Sequence, residues 1–156
     1  MRAKTLLLAS LAIAALSACA GPEKAAAPAP VASRALYPGE TPELRALIDE
    51  YADAYDVPPD LVQRVVIRES RHNPAARNGP YYGLMQILPA TARGMGYDGS
   101  PAGLLDAETN LKYAVKYLRG AWLVSDGDMD EAVQWYARGY YYEAKRKGLL
   151  EETGLR

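Results

Sequence analysis

Between Glu43 and Gly148 apolar positions recur at intervals of three and four residues, the spacing of helices that bury one face. Leu44, Leu47, Ile48, Tyr51 and Tyr55 mark a first helix from Glu43 to about Tyr55, broken by Val57-Pro58-Pro59. A second runs from Leu61 to about Arg71, with Asp60 placed to cap or open it. Asn73-Pro74 ends it, because the residue before a proline is pushed out of the helical region. Asn78-Gly79-Pro80 is a turn, and Pro89 suits the first position of a short helix that stops near Gly94 or Gly96. Asp106 reads as the N-cap of a long helix with Leu111, Ala114, Val115, Leu118 and Trp122 as its apolar stripe. Ser125-Asp126-Gly127 closes that helix, and Asp128 with Glu131 resembles a capping box for the next. Gly139 interrupts, and a last helix from Tyr140 to Lys147 ends at Gly148. No segment alternates convincingly with the two-residue period of a strand. The expected fold class is all-α, a compact orthogonal bundle with short loops.

The start of the chain has a different character. Arg2 and Lys4 precede an apolar run, Thr5 to Ala18, that is too short for a comfortable membrane span. A basic start, a short apolar run and small residues after it describe a secretory signal. The run ends Leu16-Ser17-Ala18-Cys19, which resembles the lipobox of bacterial lipoproteins, where the cysteine is lipidated and becomes the mature N-terminus. Cys19 is the single cysteine of the chain, and it falls at that position. Ala18-Cys19-Ala20 also fits ordinary signal cleavage, which releases a soluble periplasmic or secreted protein. Ala20, in place of an aspartate, points by the same resemblance to the outer membrane. Gly21 to Pro42 is rich in Ala and Pro and reads as a linker. Extended, such a segment reaches roughly 60 Å. The expected organisation is a signal peptide over 1–18, a lipidated Cys19 with a flexible linker over 19–41, and one domain over 42–156.

Composition narrows the chemistry. The chain has 156 residues, 49% hydrophobic and 24% charged, enough to build a core. A formal net charge of −1 gives no basic excess that would indicate a nucleic-acid partner. One cysteine and one histidine exclude a disulfide framework, a thiolate zinc cluster and every two-histidine metal site within the chain. Asp126-x-Asp128-x-Asp130 begins like a calcium loop, but Glu131 stands where such loops need glycine and Ala137 where they need glutamate. No metal site and no cofactor are expected. Carboxylates, tyrosines, amides and backbone groups remain.

One carboxylate stands out. Leu61, Val62, Val65 and Val66 form the stripe of the second helix, and Glu69 continues it at intervals of four from Val65 and seven from Val62. Burial disfavours its ionised form, and so does the negative end of the helix dipole in the last turns. A carboxyl kept protonated near neutral pH suits a general acid for glycoside cleavage. An ion pair with Arg68 or Arg71 is the competing reading of the same spacing.

Glu69-Ser70-Arg71-His72-Asn73-Pro74-Ala75-Ala76, followed by Tyr82-Gly83-Leu84-Met85-Gln86-Ile87-Leu88-Pro89-Ala90-Thr91-Ala92, resembles the soluble lytic transglycosylase (SLT) domain, which shares the goose-type lysozyme-like fold. The family signature is E-S-x-x-N-P-x-A, then G-L-M-Q, then P-x-T-A. The resemblance continues through Asp106, Asn110, Tyr117-Leu118 and Ala132 to Tyr136, and covers roughly Pro42 to Gly148. It implies that Glu69 protonates the glycosidic oxygen between N-acetylmuramic acid (MurNAc) and N-acetylglucosamine (GlcNAc), then acts as base while the muramyl 6-hydroxyl attacks C1, leaving a 1,6-anhydromuramyl end. It implies that Gln86 and Met85 line the sugar groove and that the Tyr136 hydroxyl lies near the catalytic carboxyl. Ser70 follows the glutamate as in the family, with local hydrogen bonding as its expected role. Tyr82 and Tyr140 are added as sugar-facing candidates, since tyrosine offers an apolar face with a polar tip and the chain has 12 tyrosines and no phenylalanine. About half of the tyrosines are expected to fill the core in place of phenylalanine. His72 is expected to pack.

The sequence departs from the pattern in two places. A serine and a G-A-x-G stretch usually precede L-M-Q; here Arg77-Asn78-Gly79-Pro80-Tyr81-Tyr82-Gly83 is one residue shorter and lacks the serine, which in the family helps orient the N-acetyl group. The A-Y-N-x-G segment reads Trp135-Tyr136-Ala137-Arg138-Gly139, without the asparagine. The implied partners are peptidoglycan glycan strands and, through the lipid, a membrane; the implied place is the periplasm. A lysozyme-type hydrolase on the same fold and a wall-binding lipoprotein that no longer cuts are the alternative readings.

Overall fold

The structure is a computed structural model and describes residues 35–155. The expected signal peptide, Cys19 and most of the expected linker lie outside the described residues. Six α-helices in those residues establish the all-α class: α1 (Pro42–Ala54), α2 (Pro59–Ser70), α3 (Pro89–Gly94), α4 (Ala107–Val124), α5 (Met129–Arg138) and α6 (Tyr141–Lys147). A 3-10 turn, Pro101–Leu105, precedes α4. The helix ends follow local chemistry. Thr41 Oγ1 accepts from Leu44 N–H at 3.2 Å, Asp106 Oδ1 from Thr109 N–H at 2.8 Å, and Asp128 Oδ1 from Glu131 N–H at 2.9 Å. Pro58 stands at the N-cap of α2 and Asp60 in its first turn; Pro58 and Pro59 set the start.

One β element was not expected from the sequence. Arg77–Asn78 (β1) pairs antiparallel with Tyr81–Tyr82 (β2) around Gly79-Pro80. Strands of two residues are too short to show any alternation, so their pattern carried no signal.

The 18-residue α4 is the central pillar. Leu111, Ala114, Val115, Leu118 and Ala121 are fully buried, while Trp122, assigned to the same stripe, is half-buried. Helices α1, α3, α5 and α6 all pack against α4. Gly120 on α4 has no side chain because the Tyr140 ring occupies the space a Cβ would need. Arg64 of α2 pairs with Asp130 of α5 at 2.6 Å, joining at the surface the two helices that carry Glu69 and Tyr136.

The compact unit begins at Ala35, inside the segment that composition groups with the linker. Glu40 is 8% exposed. It accepts from Arg45 Nε at 2.6 Å, Gln63 Nε2 at 2.6 Å and Tyr37 N–H at 2.9 Å. Since the Gln63 amide nitrogen is given to Glu40, its oxygen accepts from His72 Nε2 at 2.9 Å, which fixes neutral His72 as the Nε2–H form. The His72 ring stacks on Tyr37 with centroids 5.9 Å apart. This polar cluster fastens the chain before α1 to the far end of α2, next to Glu69.

Candidate active site

Helix α2 ends by stepping through two left-handed residues, Arg71 (φ 52°) and His72 (φ 64°). Asn73 Oδ1 then accepts from Ala75 N–H at 3.0 Å, a side-chain turn that turns the chain toward β1. Glu69 therefore projects from the last turn of α2, and its side chain is 24% exposed. Both sequence-level readings of Glu69 are realised. Burial raises its pKa above the ordinary carboxylate value, and Arg68, with Nε 3.4 Å from Oε1, pulls in the opposite direction without overcoming it.

The Gly83–Ile87 loop forms the facing wall. Tyr82 and Ile87 exchange backbone hydrogen bonds at 3.1 Å in both directions, closing the loop at its base. Gly83 (φ +72°) is required there, since a Cβ would overlap the Asn110 side chain and the Leu104 carbonyl. Asn110, fully buried at the start of α4, pins the loop from beneath. Its Nδ2 donates to Tyr82 C=O at 2.9 Å and Leu104 C=O at 2.8 Å, and its Oδ1 accepts from Met85 N–H at 2.9 Å. Gln86 takes a left-handed backbone (φ 49°) that its own side chain stabilises, Nε2 donating to Gly83 C=O at 2.8 Å and Ala76 C=O at 3.1 Å. Gln86 also lines the groove.

Helix α5 supplies the third wall. The Tyr136 hydroxyl donates to Met85 C=O at 2.9 Å, tying α5 to the loop. Burial, with a smaller contribution from the nearby Glu69 charge, raises the Tyr136 pKa well above that of a free phenol, so its O–H stays a donor. Its ring meets Tyr117 edge-on, centroids 5.5 Å apart.

These elements enclose a groove. One part, about 340 Å³, is lined by Arg68, Glu69, Asn78, Tyr81, Gln86 and Tyr136. The second, about 290 Å³, shares Tyr81, Gln86 and Tyr136 and continues to Leu88, Thr91, Tyr117 and Arg138. Glu69 is the one carboxylate on these walls among the described residues. A larger surface hollow of about 430 Å³ beside Trp122 and the α1–α2 connection contains none of the motif residues.

The candidate residues separate accordingly. Glu69, Gln86 and Tyr136 meet in the groove. Met85 does not line the groove: it is fully buried, and its carbonyl accepts from the Tyr136 hydroxyl behind the wall. Ser70 Oγ donates back to Val66 C=O at 3.3 Å. Tyr82 is 9% exposed and lies under the Arg77 guanidinium, 4.7 Å from ring centroid to Cζ, away from the groove walls. Tyr140 does not reach the groove: it is 1% exposed, packs on Gly120 and donates to Tyr117 C=O at 2.8 Å. Cys19 lies outside the described residues. Tyr81, Arg68 and Arg138 are groove residues that the motifs did not single out, each lying within two residues of a motif position; Tyr117, quoted with the resemblance but given no role there, is a groove residue too. Asn78, at the end of β1, occupies the wall near the place of the missing serine.

The transglycosylase SLT domain model matches residues 46–149. The chain is also similar to the peptidoglycan transglycosylase gp16 of Escherichia phage T7, at 37% identity over 98 residues. That stretch covers 60% of this chain and 7% of the phage protein, so the likeness concerns one domain of a much longer relative. The matched region begins within α1 and ends just past α6, taking in Glu69, the Gly83–Ile87 loop and Tyr136, and the chain belongs to the transglycosylase SLT domain family.

Proposed function

We propose that this protein is a peptidoglycan lytic transglycosylase that cleaves the β-1,4 bond between MurNAc and GlcNAc, with Glu69 as the single acid/base. The observation that carries the reading is a half-buried carboxyl with a raised pKa, the one carboxylate among the described residues on the walls of a groove of about 340 Å³. The protonated Glu69 donates to the glycosidic oxygen as the C1–O bond breaks, releasing the GlcNAc 4-hydroxyl. The resulting carboxylate takes the proton from the muramyl 6-hydroxyl as O6 bonds to C1. The acid is regenerated and water is not consumed. Glycosidases that use water or a covalent intermediate need a second carboxylate at a defined separation, so a lone carboxylate favours the intramolecular route. The Tyr136 hydroxyl oxygen, whose proton is given to Met85 C=O, and the Gln86 side chain lie on the groove wall as positions for the sugar's polar groups. Glu69→Gln keeps the side-chain shape and removes the proton donor. It is expected to abolish glycan cleavage, by at least about a thousandfold, with an unchanged circular dichroism spectrum; retained cleavage would overturn the assignment.

The N-terminal sequence supports a lipoprotein held at the outer membrane through Cys19, with the linker letting the domain work in the periplasm. Cys19→Ser is expected to move the protein from the membrane pellet to the soluble fraction on cell fractionation, and an unchanged pellet fraction would refute the anchor.

A further inference from the structure

We infer that Arg138 forms a carboxylate-binding subsite that recognises the acidic groups borne by muramyl residues, an inference that rests on the glycan-cleaving reading above. Arg138 is the last residue of α5 and lies on the groove wall with Tyr81, Gln86 and Tyr136. It falls at the open x position of the A-Y-N-x-G pattern, so the family motif assigns it nothing. Two features make it a receptor for an anion. Its guanidinium lies over the Trp135 ring, 3.7 Å from Cζ to centroid, so the side chain is ordered before a ligand arrives. Glu143, the acidic group of α6 within its electrostatic reach, is already held by Arg146, whose Nε donates to Oε2 at 2.8 Å, and lies near Lys147.

The other cation of the groove, Arg68, lies beside Glu69, with Nε 3.4 Å from Oε1. Arg138 lies on the part of the wall that continues past Tyr136 to Leu88 and Thr91, and its paired N–H groups match the geometry of a carboxylate. Peptidoglycan offers that group in two forms. In strands with stem peptides the lactyl carboxyl is amidated and the peptide carries free carboxylates; in denuded strands the lactyl carboxylate itself is free. Oligomers of GlcNAc offer neither.

The test uses the Glu69→Gln protein, so that ligands persist, and compares it with Glu69→Gln/Arg138→Met, where methionine can keep the apolar contact with Trp135. Dissociation constants are measured for three probes: soluble muropeptide strands, the same strands denuded of peptide by an amidase, and a GlcNAc hexamer. The expected result is weakening of about tenfold for one or both acidic probes, partly restored by Arg138→Lys, with the hexamer unaffected. Weakening confined to peptide-bearing strands assigns the stem-peptide carboxylates; weakening confined to denuded strands assigns the lactyl carboxylate. Equal weakening on all three probes, or on none, overturns the subsite. If the Glu69→Gln protein with Arg138 intact binds no probe, the glycan-groove reading fails, and the subsite with it.

Discussion

Glu69 is subject to two opposed forces that mutation can separate. Burial raises its pKa and the Arg68 guanidinium lowers it, burial being the larger. In the proposed reaction the first step needs the protonated form, so kcat/KM is expected to fall as pH rises through the Glu69 pKa. Arg68→Gln removes the lowering influence and is expected to move this alkaline limb to higher pH; a limb that stays, or moves down, would show that Arg68 does not act on Glu69. At this scale the sequence was most informative where the signal is local. Glu69 was legible from its place in the apolar stripe, and Gln86 and Tyr136 from the motif. Tyr140 was misplaced in the groove because its burial depends on the bare surface of Gly120, twenty positions away and on another helix. Met85 contributes its carbonyl, a group that side-chain reasoning does not weigh. The tyrosines that replace phenylalanine are fewer than expected: Tyr82, Tyr136 and Tyr140 are buried, while others, such as Tyr51 and Tyr117, straddle the boundary with solvent, where a polar tip is useful.

Helix α2 carries the acid, and the buried cluster at its back fixes where it ends. Burial opposes ionisation of Glu40, but hydrogen bonds from Arg45, the Tyr37 N–H and Gln63 outweigh it and hold the carboxyl at about 2, below its ordinary 4.5. A depressed folded-state pKa contributes stability that is fully present above the unfolded value and is lost as pH falls through the folded one. Glu40→Gln leaves Arg45 buried without its counter-charge and is expected to destabilise the fold by about 3 kcal/mol at pH 7. In denaturant unfolding that difference should shrink as pH drops from about 4.5 toward 2; a constant difference would contradict the linkage. Nothing local signals this cluster. Gln63 sits beside Arg64 among the apolar residues of α2, and Glu40 belongs to a stretch whose Ala and Pro content reads as linker. They meet only because the chain folds back over 23 positions. The helices themselves were legible to within a residue or two, because caps and prolines mark their ends, whereas the two-residue strands and the 3-10 turn before α4 are too short to leave a periodic trace.

For the whole molecule, α4 acts as the pillar from which the site is built. Its first turn pins the Gly83–Ile87 loop through Asn110, its middle receives Tyr140 on Gly120, and its Tyr117 edge supports Tyr136. The loop wall and the α5 wall of the groove thus both rest on α4, while Glu69 arrives from α2. The all-α class was readable because nearly every segment shows the helical period; the groove was not, because its walls come from α2, the Gly83–Ile87 loop and α5, which only the folded chain brings together. The central claim is that one carboxyl is enough because the substrate supplies its own nucleophile. Mass spectrometry of the fragments released from purified peptidoglycan tests it most directly. The account predicts muropeptides ending in 1,6-anhydromuramic acid, each lighter by one water than the hydrolysis product. Fragments ending in reducing muramic acid would contradict it and require a water-activating group that the groove walls do not supply.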